Sequence, residues 1–166
     1  ALVEARNHLT PTHVMIVDAD DLVSNRLAGL VASHPEFSPG WTISNGYFYE
    51  DRGQFLICRK SLHEICGSTS IISIENELLP ATMNSPESHV ILDYGHTGIN
   101  AYFESIGTPL SKVPFPGAIY VTGTGENDSS ISLSFSASRR RFLRNLIRMR
   151  PLTVRTREIF GINRDD

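Results

Sequence analysis

The chain has 166 residues, 40% of them hydrophobic and 20% charged, with a net charge of −3; it can bury one real core but is too short for two comfortable domains. Its two cysteines, Cys58 and Cys66, match no zinc or redox spacing and read as thiols of a reducing compartment. No apolar run reaches the length of a membrane span and no signal peptide is visible, so a cytoplasmic location is the expectation.

Residues 1–9, ALVEARNHL, have helix-forming composition, with Leu2, Ala5 and Leu9 at helical spacing, and Pro11 ends any such helix. The next run, Val14-Met15-Ile16-Val17, is continuous and rich in β-branched residues, which predicts a strand buried on both faces, as in a parallel sheet. Helix followed by strand is the step of an alternating α/β fold. With a single helix before the first strand, further sequence upstream of Ala1 is expected. The strand closes in Asp18, Asp20 and Asp21. Three acids there repel one another unless something cationic sits among them, and the C-terminal edge of an open α/β sheet is where ligands bind. Hard carboxylate oxygens suit Mg²⁺ or Mn²⁺, which can bridge to a diphosphate. The plainer alternative is that Asp20 or Asp21 caps the following helix.

Ser24 can cap a helix carrying Leu27, Leu30 and Val31, which ends before His34-Pro35. Its N-terminal dipole, with Asn25 and Arg26 on the first turn, would favour a phosphate. After the Ser38-Pro39-Gly40 turn, two strand-like runs divided by Glu50–Gly53 predict a hairpin over Trp41 to Arg59. Trp41, Tyr47 and Tyr49 can form a sugar-stacking platform, although aromatic residues on strands are more commonly core. Ile65 to Ser70 is a small-residue loop where backbone can approach a ligand, and ELLPATMNSPES reads as a loop. Asp93 precedes a helix bearing Ile99, Tyr102, Phe103 and Ile106 and closed by Gly107, with Val113 opening the next extended segment. Asp93 can share a helix face with His96 or simply cap the helix. Gly123 to Ser130 fits neither glycine-rich phosphate fingerprint.

Charge is uneven. Eight of the fifteen basic residues are arginines between Arg139 and Arg157, so setting those eight aside takes the net −3 to about −11 for the remainder. Phe142, Leu143, Leu146 and Ile147 fall on one helical stripe among these arginines. Such a helix can lie on an anionic membrane surface or dock on the acidic body. Nucleic acid fits poorly, since no aromatic interleaving or known binding motif accompanies the arginines.

The order of motifs resembles family 2 inverting nucleotide-sugar glycosyltransferases, which have the GT-A fold. Ala5-Arg6-Asn7 followed by VMIVDADD is similar to the family's helix leading into its strand and Asp-X-Asp motif. Arg59 through Ile65-Cys66-Gly67 resembles the arginine and glycine turn before the acceptor region. Leu92-Asp93-Tyr94 with its helix, then Gly107, Pro109-Leu110, Val113-Pro114 and Tyr120, resembles the Glu-Asp helix and the strand after it, with Asn127-Asp128-Ser129 beyond. The resemblance implies a GT-A-like mixed sheet flanked by helices over residues 1–137, without the family's N-terminal nucleotide-binding half, followed by a basic amphipathic helix and tail over 138–166. It implies that Asp18 and Asp20 hold Mn²⁺ or Mg²⁺, that Asp21 and Arg6 join them on the donor, and that Asp93 is the general base. Trp41, Gly67 and Ser68 are then candidates for the acceptor side. The donor would be a nucleotide sugar and the acceptor a glycan, lipid or protein, with peripheral membrane contact through the basic helix.

Three features depart from the family. Leu92 stands where the family has an acid, no histidine follows His96 to reach a metal, and the base- and ribose-binding half has no counterpart. Two alternatives follow: a truncated or non-catalytic module that binds a glycan or a partner, and a haloacid-dehalogenase-like phosphatase with Asp18 as nucleophile. The second expects a Thr or Val and a glycine soon after the second acid, where this chain has Asp21-Leu22.

Overall fold

The structure, a computed structural model, describes residue 7 and residues 13–34, 38–73, 82, 95–123 and 145–163. The expected N-terminal helix with Arg6, the Asp93–His96 pairing, Asn127-Asp128 and the arginines from Arg139 to Arg144 lie outside these residues. In chain order the elements are β1 (His13–Met15), β2 (Leu22–Val23), α1 (Arg26–Ala32), β3 (Gly40–Thr42), β4 (Asn45–Glu50) and β5 (Phe55–Lys60). A 3-10 turn at Leu62–Glu64 leads to β6 (Ser70–Ser73), α2 (Gly95–Ser105), β7 (Ser111–Lys112), β8 (Ala118–Thr122), β9 (Met149–Pro151) and α3 (Val154–Phe160). The fold is mixed α/β.

Two mixed sheets carry it, in the orders β1-β6-β3-β7 and β2-β8-β4-β5-β9. The chain passes from the first to the second between β1 and β2, between β3 and β4, and between β7 and β8; it returns between β5 and β6. These crossings form a seam. Ile43, Leu62, Cys66 and Val113 fill it and are almost wholly buried, and the backbone is tied across it by Ile43 N–H to the Thr69 carbonyl at 2.7 Å and Val113 N–H to the Thr42 carbonyl at 3.0 Å.

Strand alternation divides the core. Trp41, Phe48, Ile57, Ile71 and Tyr120 share one cluster with Leu27 of α1. Their strand neighbours turn the other way: Ile72 meets Ile99 and Phe103 of α2, while Tyr49, Leu56, Ile119 and Val121 meet Phe160 and Ile162 at α3. α2 then ends in a Schellman motif. Gly107 takes a left-handed φ of +77°, its N–H meets the Glu104 carbonyl at 3.1 Å, and Thr108 N–H meets Phe103 at 3.0 Å.

Three expectations are corrected. The first strand is short, pairs antiparallel with β6 at the edge of its sheet, and gives way to Ile16 and Val17, which are 40% and 41% exposed. A β-branched run suits an edge strand as well as a central one, so its apolar character alone does not place it. The hairpin is real but runs from Asn45 to Lys60; Trp41 belongs to β3 in the other sheet. The C-terminal segment is not a single amphipathic helix standing apart. Met149–Pro151 adds to β5 as the edge strand, and Phe160 and Ile162 complete a core that would otherwise face water. Among the described residues no helix is long and apolar enough to cross a membrane.

Candidate functional site

The acids sit on a tight turn between the two sheets. Asp21 N–H donates to the Asp18 carbonyl at 3.1 Å, closing a four-residue β-turn, a shape that suits Asp at its first position. The turn sorts the three side chains. Asp18 is exposed and Asp20 half-buried, whereas Asp21 is 7% exposed and points into the seam.

A second loop meets it there. Ser68 Oγ accepts the Asp18 backbone N–H at 2.8 Å and donates to Asp21 Oδ2 at 2.7 Å, and Cys66 Sγ donates to the same oxygen at 3.1 Å. Asp21 Oδ1 is buried without a hydrogen bond of standard geometry. Burial raises the Asp21 pKa above the ordinary 3.8, with a smaller push from the Asp18 charge; Ser68, Cys66 and the Val121 backbone N–H oppose the rise. The Cys66 thiol is pushed well above the usual thiol range, by burial first and then by the neighbouring Asp21. It is therefore a neutral donor to the carboxylate rather than a nucleophile.

Gly67 completes the contact. A Cβ at this position would lie 2.6 Å from Asp18 Oδ2, so the carboxylate rests where any other side chain would begin. The loop keeps its shape through the Thr69 hydroxyl, which donates to the Cys66 carbonyl at 3.0 Å, and through Cys66 N–H, which reaches the Leu62 carbonyl at 3.1 Å. Beyond Gly67 a cleft of about 20 Å³ opens between β1, β6 and α2, lined by Val14, Ile16, Ser70, Ile72 and Ile99; that volume accommodates little more than a water. At its margin Asn100 of α2 donates to Thr42 Oγ1 at 3.3 Å.

Asp18, Asp20, Gly67 and Ser68 thus come together from two stretches about fifty residues apart, as the site reading requires. Other candidates do not join them. Asp21 was expected among the donor ligands; it faces inward because its carboxylate takes the buried Ser68 and Cys66 donors. Ser68, expected on the acceptor side, is fully buried. Trp41, expected to face an acceptor, is 3% exposed and packs against His13 and His34 with ring centroids at 5.2 and 5.3 Å. Tyr47 and Tyr49 lie in the other sheet, where Tyr47 meets Phe160 edge-on at 6.0 Å. No aromatic platform forms.

The amides expected to greet a phosphate at α1 are also committed. Asn25 N–H donates to the Ile159 carbonyl at 2.9 Å and Leu27 N–H to Ser24 at 3.1 Å, while Arg26 N–H uses Ser24 Oγ at 3.3 Å. Ser24 thus serves the helix start, as expected, and leaves few donors over. Arg26 and Arg59 each lie over an aromatic ring, Phe115 at 4.0 Å and Phe48 at 4.2 Å. Cys66 was missed as a site residue, because a lone thiol carries no spacing signal.

Among the described residues no three His, Cys, Asp or Glu side chains gather into a metal cage. Two carboxylates on an outward turn are nonetheless a donor set that suits Mg²⁺ or Mn²⁺, since such ions commonly take one or two carboxylates and complete their shell with phosphate and water. No family model matches the chain, and searches of curated proteins and of solved structures found no similar one.

Proposed function

We propose that the Asp18–Asp21 turn is the cation- and diphosphate-binding end of a nucleotide-sugar site, and that the chain is part of an inverting glycosyltransferase of GT-A type. The observation that carries this reading is the sorting of the acids: Asp21 is spent inside on Ser68 and Cys66, and two carboxylates remain outside on a braced turn. A helix cap needs one acid and no such bracing. Asp18 and Asp20 would hold Mn²⁺ or Mg²⁺, which when bound stabilises charge developing on the departing diphosphate. Asp93, just ahead of α2, would take the proton of the acceptor hydroxyl as its oxygen bonds to the sugar C1 and the C1–phosphate bond breaks. Arg6 is assigned to the donor side by the motif resemblance alone.

A second reading, a non-catalytic module that binds a glycan or a partner, is favoured by the same burial of Asp21, since one of the three acids has a structural use that needs no ligand.

A thermal-shift panel of UDP, GDP, ADP and CDP with and without Mn²⁺, run beside Asp20→Asn, separates the two. Binding to the folded state alone raises stability by about 2.7 kcal/mol at a hundredfold excess over Kd. A Mn²⁺-dependent shift with one nucleotide, lost in Asp20→Asn, supports the transferase and names the donor class; no shift with any of them favours the module. Asp93→Asn should retain the nucleotide shift and lose transfer, and retained turnover would remove Asp93 as the base.

A further inference from the structure

Ser68 stands at the centre of the acid turn without facing solvent. Its hydroxyl has a single proton, and donating that proton to Asp21 Oδ2 at 2.7 Å fixes the rotor. A lone pair is then free to accept the Asp18 backbone N–H at 2.8 Å. Asp21 therefore orients Ser68, and Ser68 orients the peptide that bears the Asp18 side chain. Gly67 acts from below, because the Asp18 carboxylate occupies the space a Cβ would need.

We propose that Ser68 and Asp21 are positioning residues that set the direction of the Asp18 carboxylate as a cation ligand, with Gly67 providing the room it needs. This rests on the cation site proposed above and deepens it. Asp21, with 7% exposure and Oδ2 held by two donors, acts through Ser68 rather than by touching the ion. Groups that orient a metal ligand from behind typically change metal affinity by roughly 10- to 100-fold when removed.

The test is Mn²⁺ binding by the full chain, followed by loss of the free-ion electron paramagnetic resonance signal, alone and with UDP, GDP, ADP or CDP in turn. Ser68→Ala, Ser68→Thr, Gly67→Ala and Phe160→Leu are compared with the unmodified chain, each well below its own melting temperature. Ser68→Ala and Gly67→Ala should weaken Mn²⁺ by roughly 10- to 100-fold, and Ser68→Thr, which keeps the hydroxyl, should recover most of the loss. Phe160→Leu lowers the melting temperature from a core remote from the turn and should leave Mn²⁺ affinity unchanged. Folded Ser68→Ala or Gly67→Ala with undiminished affinity overturns the positioning role while leaving the cation site in place. An unmodified chain that binds no Mn²⁺ under any of these conditions overturns both.

Discussion

Ser68 Oγ donates to Asp21 Oδ2 at 2.7 Å across 47 positions of chain, joining the loop after β5 to the turn after β1. Replacing Ser68 with Ala strips a buried carboxylate of its shorter donor and leaves the Asp18 N–H without its acceptor. The expected cost is about 1–3 kcal/mol, read as a lower urea midpoint at unchanged m-value. A midpoint within error of the unmodified chain would mean that water replaces the hydroxyl without loss.

Asp21 should also impose a pH dependence. Its folded pKa is raised above the ordinary 3.8, chiefly by burial, so between those two values the folded chain holds a proton that the unfolded chain has released. Stability contributed at this group is therefore fully present below 3.8 and lost as pH rises through the folded value, with a slope of at most about 1.4 kcal/mol per pH unit. The stability of the unmodified chain minus that of Asp21→Asn should fall across this window in urea titrations. A difference that grows with pH would reverse the sign and sink the assignment.

Two glycines should respond differently to Ala. Gly40 has a φ of +127°, and a Cβ there would fall on the Ile71 carbonyl oxygen, which sits in a ladder and cannot retreat. Gly40→Ala is expected to cost at least about 3 kcal/mol. At Gly67 the obstacle is the exposed end of the Asp18 side chain, which can swing into water. Gly67→Ala should cost less than about 1 kcal/mol, so melting curves should separate the two variants clearly.

Phe160 closes the core beneath Tyr49, Leu56 and Val121 and is 6% exposed. Phe160→Ala should cost about 3–5 kcal/mol, visible as a large drop in melting temperature. A drop of less than about 1 kcal/mol would restore the picture of a separable tail.

The helix α1, its Ser24 start, the hairpin and the Gly107 stop of α2 were legible in the sequence because each rests on local chemistry: a side chain serving a nearby amide, a turn between apolar runs, a glycine free to take positive φ. The acid cluster was legible for the same reason, as charges crowded on a few consecutive residues. What each acid does was not. Asp18, Asp20 and Asp21 look alike in one dimension, and it is the arrival of Cys66, Gly67 and Ser68 from the far side of the hairpin that turns one inward and leaves two outward. Val14 to Val17 and Trp41 were misplaced because apolarity signals burial without saying which sheet, edge or face supplies it. The sequence by itself determined the local punctuation and the chemistry on offer; tertiary structure decided which groups meet, since desolvation and hydrogen-bond pairing across the seam depend on neighbours distant in the chain.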